Sequence, residues 1–176
     1  MSASQPTIAD AVRSHARNRG EALAYDFEGR QTTFSAFDAN ASRVANALIA
    51  MGIKKGDRVA YIGKNSDIYF ELLVGAAKAG AVVTPVNWRL AAPEVAFIVD
   101  DCKAPVLFVG PEFVDLVRGI RGSLPSVRHV VTMEGGAPEW PDFAAWRDAH
   151  GSDDPNLPID RHDVAIQLYT SGTTGK

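Results

Sequence analysis

The chain has one cysteine, Cys102, so it can close no internal disulfide. A lone thiol suits a reducing compartment such as the cytoplasm, and its expected role is that of a small apolar filler near a helix end. Long hydrophobic runs are also missing. The most apolar stretch, residues 72–86, is broken by Lys78 and falls short of the roughly 20 residues that a membrane-spanning helix needs. Residues 1–20 carry Arg13, His15, Arg17 and Arg19 after a polar start and have no apolar centre, which is not the pattern of a secretory leader. Positive charge is in no surplus: 18 Lys and Arg against 21 Asp and Glu give a net charge of −3. That balance argues against nucleic acid as the main partner. The histidines, His15, His129, His150 and His162, are scattered without metal-ligand spacing, which speaks against zinc. Adjacent carboxylates at Asp100-Asp101 and Asp153-Asp154 do not share a helix face, and solvated surface is expected for both pairs.

What is present is ordinary globular material. With 46% apolar and 22% charged residues in 176 positions, the chain can build one domain with a real core. Its pattern alternates. Thr7 caps a short helix over 8–18, and residues 22–27 and 31–34 flank Glu28-Gly29-Arg30 as a hairpin. A helix over 35–51 stops at Gly52, and 58–62 is a strand. Asn65 or Ser66 opens a helix to Lys78, stopped by Gly80 and followed by a buried strand over 81–86. Helix 91–101, strand 105–109, helix 111–121, strand 128–133 and a short helix over 141–150 complete the series, with a polar connection at 153–158. Strands and helices trading places with short links predict an α/β fold, an open and mostly parallel sheet flanked by helices, with a small N-terminal hairpin. Such sheets bind ligands at the carboxyl ends of their strands. Arg89, after Asn87-Trp88, reads as an ion pair or hydrogen bond at a strand end, His150 as a helix-end contact, and Trp140 and Trp146 as packing.

The last stretch carries the chemistry. Residues 164–169, Val-Ala-Ile-Gln-Leu-Tyr, read as a buried strand feeding a loop of glycines and hydroxyls. Gly172 and Gly175 make backbone N–H groups accessible, Thr170, Ser171, Thr173 and Thr174 add hydroxyl donors, and Lys176 adds a cation. Donors with one positive charge at a strand end suit a polyphosphate. The spacing is not that of a Walker A loop, because Gly172 and Gly175 are only two residues apart. A flexible Gly/Ser/Thr linker is the other reading of this composition, but a linker needs no buried strand to deliver it.

The run Tyr169-Thr170-Ser171-Gly172-Thr173-Thr174-Gly175-Lys176 resembles the signature loop of the adenylate-forming enzymes, the acyl-CoA synthetase superfamily, and is closest in kind to the fatty-acid–CoA ligases. Gly56-Asp57-Arg58-Val59, the stretch 76–90 and Ala104-Pro105-Val106-Leu107-Phe108-Val109 are similar to earlier parts of that family's large domain. The resemblance implies that 1–176 is a partial N-terminal AMP-binding domain cut inside its phosphate loop, the N-terminal piece of a much longer protein. It implies an ATP-dependent acid–thiol ligase. A carboxylic acid, expected to be a medium- or long-chain fatty acid, attacks the α-phosphate of ATP, and coenzyme A then takes the acyl group and releases AMP. Thr170 to Lys176 would wrap the β- and γ-phosphates, with Mg²⁺ sharing the charge near Thr170. No catalytic residue is expected within 1–176, and the chain alone is expected to be inactive. A homodimer of the longer protein, an aryl acid as substrate, and a non-catalytic nucleotide-binding α/β module are the other expectations left open.

Overall fold

The computed structural model describes residues 6–135 and 137–170. Helix α1 (Ile8–Arg19) starts at a capping box: the Thr7 hydroxyl accepts from the Asp10 N–H at 3.1 Å, and the Asp10 carboxylate accepts from the Thr7 N–H at 3.1 Å. Strands β1 (Leu23–Phe27) and β2 (Arg30–Thr33) form the expected antiparallel hairpin. Phe27 pairs with Arg30, leaving Glu28 and Gly29 as the turn, both at positive φ (50° and 84°), as a tight two-residue hairpin turn demands. Helix α2 (Phe34–Ala50) begins one residue before the expected start, because Thr33 supplies the cap to the Ala36 N–H at 3.3 Å.

The remaining elements form the parallel sheet and its cover. They are β3 (Arg58–Ile62), α3 (Asp67–Ala79), β4 (Val82–Val86), α4 (Ala92–Asp101), β5 (Val106–Val109), α5 (Val114–Ile120), β6 (His129–Thr132) and α6 (Phe143–Asp148). Ser66, not Asn65, caps α3, and Gly80 ends it in the left-handed region at φ 73°. The expected single helix over 111–121 is instead an α-helix of about two turns flanked by 3-10 turns, Pro111–Phe113 and Arg121–Ser123. Short 3-10 turns are the common way to close helix ends where no side chain caps them, and neither Gly110 nor Phe113 offers one.

The sheet order is β4-β3-β5-β6, with every pairing parallel. Alternation sends Val59, Tyr61, Val106 and Phe108 to one face, against Val44 and Leu48 of α2, Leu72 of α3, and Phe143 and Trp146 of α6. Ala60, Ile62, Leu107 and Val109 go to the other, against Val95 and Val99 of α4 and Val117 of α5. Two covered faces explain why these strands are continuous apolar runs. Trp146 lies 5.3 Å from the Phe108 ring, and Trp140 packs on the second cluster, so both tryptophans are packing residues as expected. Cys102 is buried with its thiol donating to the Val99 carbonyl, also as expected. His150 meets the Trp146 carbonyl at 3.0 Å, a helix-end contact of the expected kind. Helices α2 and α3 approach closely at Gly75, where a Cβ would stand 2.5 Å from Val44 and 2.8 Å from the Ala41 carbonyl.

The expectation of a solvated Asp153-Asp154 pair is overturned for Asp154. Its carboxylate accepts from Arg13 at 2.7 and 2.8 Å and from Lys78 Nζ at 2.8 Å. Lys78 is fully buried, and its ammonium also donates to the Asp38 carboxylate at 2.7 Å and the Ser42 hydroxyl at 2.8 Å. The reason is that a helix lysine taken out of water needs anions brought to it, and two distant parts of the chain supply them. Asp100 and Asp101 lie at the surface as expected: Asp101 is exposed and accepts from Tyr169, and half-buried Asp100 accepts from the exposed Lys103 at 3.1 Å. Among the described residues no helix is long and apolar enough to cross a membrane.

Candidate phosphate site at the sheet edge

The connection after α6 is pinned down before it reaches the edge. Asn46 donates to the Gly151 and Asp153 carbonyls at 2.8 and 2.9 Å. Asp154 is held as described, and Lys55 pairs with Asp163 at 2.6 Å. Arg13 first, and Lys78 with it, hold the Asp154 carboxyl well below the ordinary carboxylate range.

Residues 164–169 then run beside β4, but not as the buried strand expected. A single parallel bridge joins Val83 to Ile166: the Val83 N–H donates to the Ala165 carbonyl and the Gln167 N–H to the Val83 carbonyl, each at 2.9 Å. Ala165, Gln167 and Tyr169 are half-buried, whereas Val164, Ile166 and Leu168 are 61%, 38% and 69% exposed. The physical reason is position. An edge segment has one neighbour and, here, one covered face, so every second apolar side chain stands in solvent.

Because the bridge is parallel, the segment ends at the carboxyl end of the sheet, beyond Val86. Tyr169 is tied there by a chain of hydrogen bonds. Its hydroxyl donates to the Asp101 carboxylate at 2.5 Å and accepts from the Gln167 amide at 3.1 Å, while the Gln167 oxygen accepts from Arg58 Nε at 2.9 Å. Burial first, and the Asp101 carboxylate second, push the Tyr169 hydroxyl up to about 12. None of these partners was legible beforehand, since nothing in the sequence pairs residues 58, 101 and 167.

Thr170 is exposed and lines an open cleft of about 710 Å³ with Asn87, Leu90, Glu94, Phe97 and Tyr169. Ser171, Gly172, Thr173, Thr174, Gly175 and Lys176, the other residues expected to bind phosphate, lie outside the described residues. Thr170, Asn87 and Glu94 in the cleft lining carry oxygens of the type a hard cation takes, and Asn87 and Glu94 each already accept a backbone N–H, from Arg89 and Ala91 at 3.0 and 2.8 Å. Among the described residues no group of three His, Cys, Asp or Glu could hold a metal by itself. Arg89, expected in an ion pair or hydrogen bond, instead stacks its guanidinium 4.1 Å over the Trp88 ring. A planar, weakly hydrated cation gains from an aromatic face at a partly exposed site.

The sheet offers a second crevice that sequence reading missed, because it depends on strand order. The chain leaves β3 towards one edge and β5 towards the other, so their carboxyl ends form a switch point. Tyr61, Lys64, Ser66, Glu112 and Glu134 line it. Its charges decide against phosphate. Lys64 is neutralised by Glu112 at 2.8 Å, and Glu134 accepts from Arg30 at 3.0 Å, leaving no cation to spare among these residues.

A family model described as AMP-binding enzyme matches residues 12–176. The chain belongs to that family. It is 40% identical over 174 residues to the fatty acid–[acyl-carrier-protein] ligase ScoC of Streptomyces coeruleorubidus, covering 96% of this chain and 31% of ScoC. It is 39% identical over 144 residues to a long-chain-fatty-acid–CoA ligase of Mycobacterium tuberculosis, covering 81% of this chain and 28% of that one. Among solved structures, the anthranilate CoA ligase AuaEII in complex with anthranoyl-AMP matches with a TM-score of 0.89 at 31% identity, covering 95% of this chain and 32% of AuaEII. The chain therefore spans about a third of the length of these AMP-binding relatives.

Proposed function

We propose that this chain is the partial N-terminal AMP-binding domain of an AMP-forming acid–thiol ligase, and that Thr170 to Lys176 cradle the β- and γ-phosphates of ATP. One observation carries the reading: Tyr169 and Thr170 stand at the carboxyl end of a parallel sheet edge, beside an open cleft, at the start of the glycine- and hydroxyl-rich run. Backbone N–H groups and Lys176 would hold the phosphates so that the α-phosphate faces an incoming carboxylate. Positioning and charge stabilisation are the protein's main contributions to such a transfer. Thr170 would contribute an oxygen to Mg²⁺, which supplies further charge neutralisation on the phosphates when bound.

The acid is a medium- or long-chain fatty acid on this reading, in line with the fatty-acid ligases among the relatives. An aryl acid is the second reading, favoured by the match to the anthranilate ligase. Coenzyme A is the proposed acyl acceptor. ScoC is named for an acyl-carrier-protein acceptor, so a carrier thiol belongs in the same assay. A cytoplasmic location and a homodimer of the longer protein complete the proposal, and the 176-residue chain alone is expected to form no thioester.

The test is nucleotide product analysis on the full-length protein, with ATP, Mg²⁺, coenzyme A or a carrier protein, and a panel of fatty and aromatic acids. Acid-dependent AMP is the expected result, and the best acid names the substrate class. ADP, or no turnover with any acid, would leave a non-catalytic nucleotide-binding module instead. In the same assay Lys176→Ala is expected to raise the KM for ATP by about tenfold or more, since it removes a charge-assisted contact to phosphate.

A further inference from the structure

We infer that Asp101 and Tyr169 form a latch that sets the starting position of the phosphate-binding run, so that Asp101, which lies outside the run, is a positioning residue for ATP. The inference rests on the reading of Thr170 to Lys176 as the phosphate loop. Its ground is the way the edge segment is held. Beyond Gln167, no backbone hydrogen bond among the described residues ties the segment to β4. Among the described residues the last anchor before Thr170 is therefore a side chain. The Tyr169 hydroxyl donates to Asp101 at 2.5 Å and accepts from Gln167 at 3.1 Å, and Gln167 is in turn held by Arg58 of β3 at 2.9 Å. The Tyr169 ring packs on the cluster under α4, which fixes its direction as well as its reach.

Asp101 is placed against the helix's own interest. It is the last residue of α4, a helix with no basic residue in its final turn, and an acid at that end opposes the helix dipole. A residue retained for helix stability would be basic or neutral there. A carboxylate makes sense as the acceptor for a phenol arriving from the sheet edge. Since Thr170 is bonded directly to Tyr169, loss of the latch frees the first residue of the run while leaving its glycines, hydroxyls and lysine chemically intact.

The experiment uses the full-length protein with Tyr169→Phe, Asp101→Ala, Asp101→Asn, the double variant Tyr169→Phe with Asp101→Ala, and Lys176→Ala. Steady-state kinetics give the KM for ATP and for the acid separately, and thermal unfolding reports folding. Tyr169→Phe and Asp101→Ala are each expected to raise the KM for ATP roughly tenfold, about the worth of one hydrogen bond to a charged group, with the KM for the acid unchanged. The double variant should be no worse than either single one. Asp101→Asn keeps a side-chain acceptor and should recover most of the loss. Should Asp101→Ala fail to fold, Tyr169→Phe retains the ring and carries the test alone. A KM for ATP within about twofold of the wild type in Tyr169→Phe overturns the latch. So does a parallel rise in both KM values with a lowered melting temperature. If Lys176→Ala raises the KM for ATP and Tyr169→Phe does not, the latch alone is wrong. If Lys176→Ala has no effect, the phosphate reading fails and the latch falls with it.

Discussion

Removing one anion from Lys78 should harm this chain more than removing the lysine. The ammonium is fully buried and has three side-chain partners, the carboxylates of Asp38 and Asp154 and the hydroxyl of Ser42, at 2.7, 2.8 and 2.8 Å. In Asp154→Ala the lysine keeps Asp38 and Ser42 but loses half its negative charge, and Arg13 loses its bidentate partner. Breaking a buried pair by deleting one member typically costs about 3–5 kcal/mol, and the surviving Asp38 should reduce this to roughly 2–3 kcal/mol. In Lys78→Met the aliphatic stem is conserved in length and no charge remains buried. Asp38 and Asp154 are each about a quarter exposed and can take up water, and Asp154 keeps Arg13, so the expected cost is about 1 kcal/mol or less. Urea unfolding followed by circular dichroism measures both. A Lys78→Met cost equal to or above that of Asp154→Ala would refute the reasoning, because it would mean that the charge is worth more than its desolvation. A pH series adds a second check. Asp154 has a folded-state pKa below its unfolded value, which is about 3.9. Its stabilising contribution is therefore full above that value and is lost as pH falls towards the folded one. The gap between wild type and Asp154→Asn should be constant from neutral pH down to about 5 and shrink below about 4; a gap that widens on acidification would reverse the sign.

Gly75→Ala is expected to cost about 1–3 kcal/mol in urea unfolding by forcing α2 and α3 apart at Val44 and the Ala41 carbonyl, and Val44→Ala should give little rescue because alanine keeps the Cβ that clashes. Ser66→Ala removes the acceptor for the Tyr69 N–H at 3.3 Å and should cost about 1 kcal/mol, read by urea unfolding, whereas Asn65→Ala at the neighbouring candidate cap should cost less than about 0.5 kcal/mol.

Local chemistry determined much of this protein from sequence alone. Thr7, Gly29, Gly80 and the apolar runs around Ala60, Val83 and Leu107 announce a cap, a turn, a helix stop and buried parallel strands, because each depends on a residue's own backbone preference or on short-range periodicity. The run from Thr170 to Lys176 reads as a phosphate-binding pattern from sequence alone, since its donors are consecutive, and that reading is the one proposed above. What only the tertiary structure decided are the meetings of residues far apart in the chain. The strand order β4-β3-β5-β6, the burial of Lys78 between Asp38 and Asp154, and the hydroxyl of Tyr169 on Asp101 span tens of residues each. The exposed side chains of Val164, Ile166 and Leu168 belong with them: an apolar alternation specifies a strand, but whether that strand lies inside a sheet or at its edge is set by which neighbours fold against it.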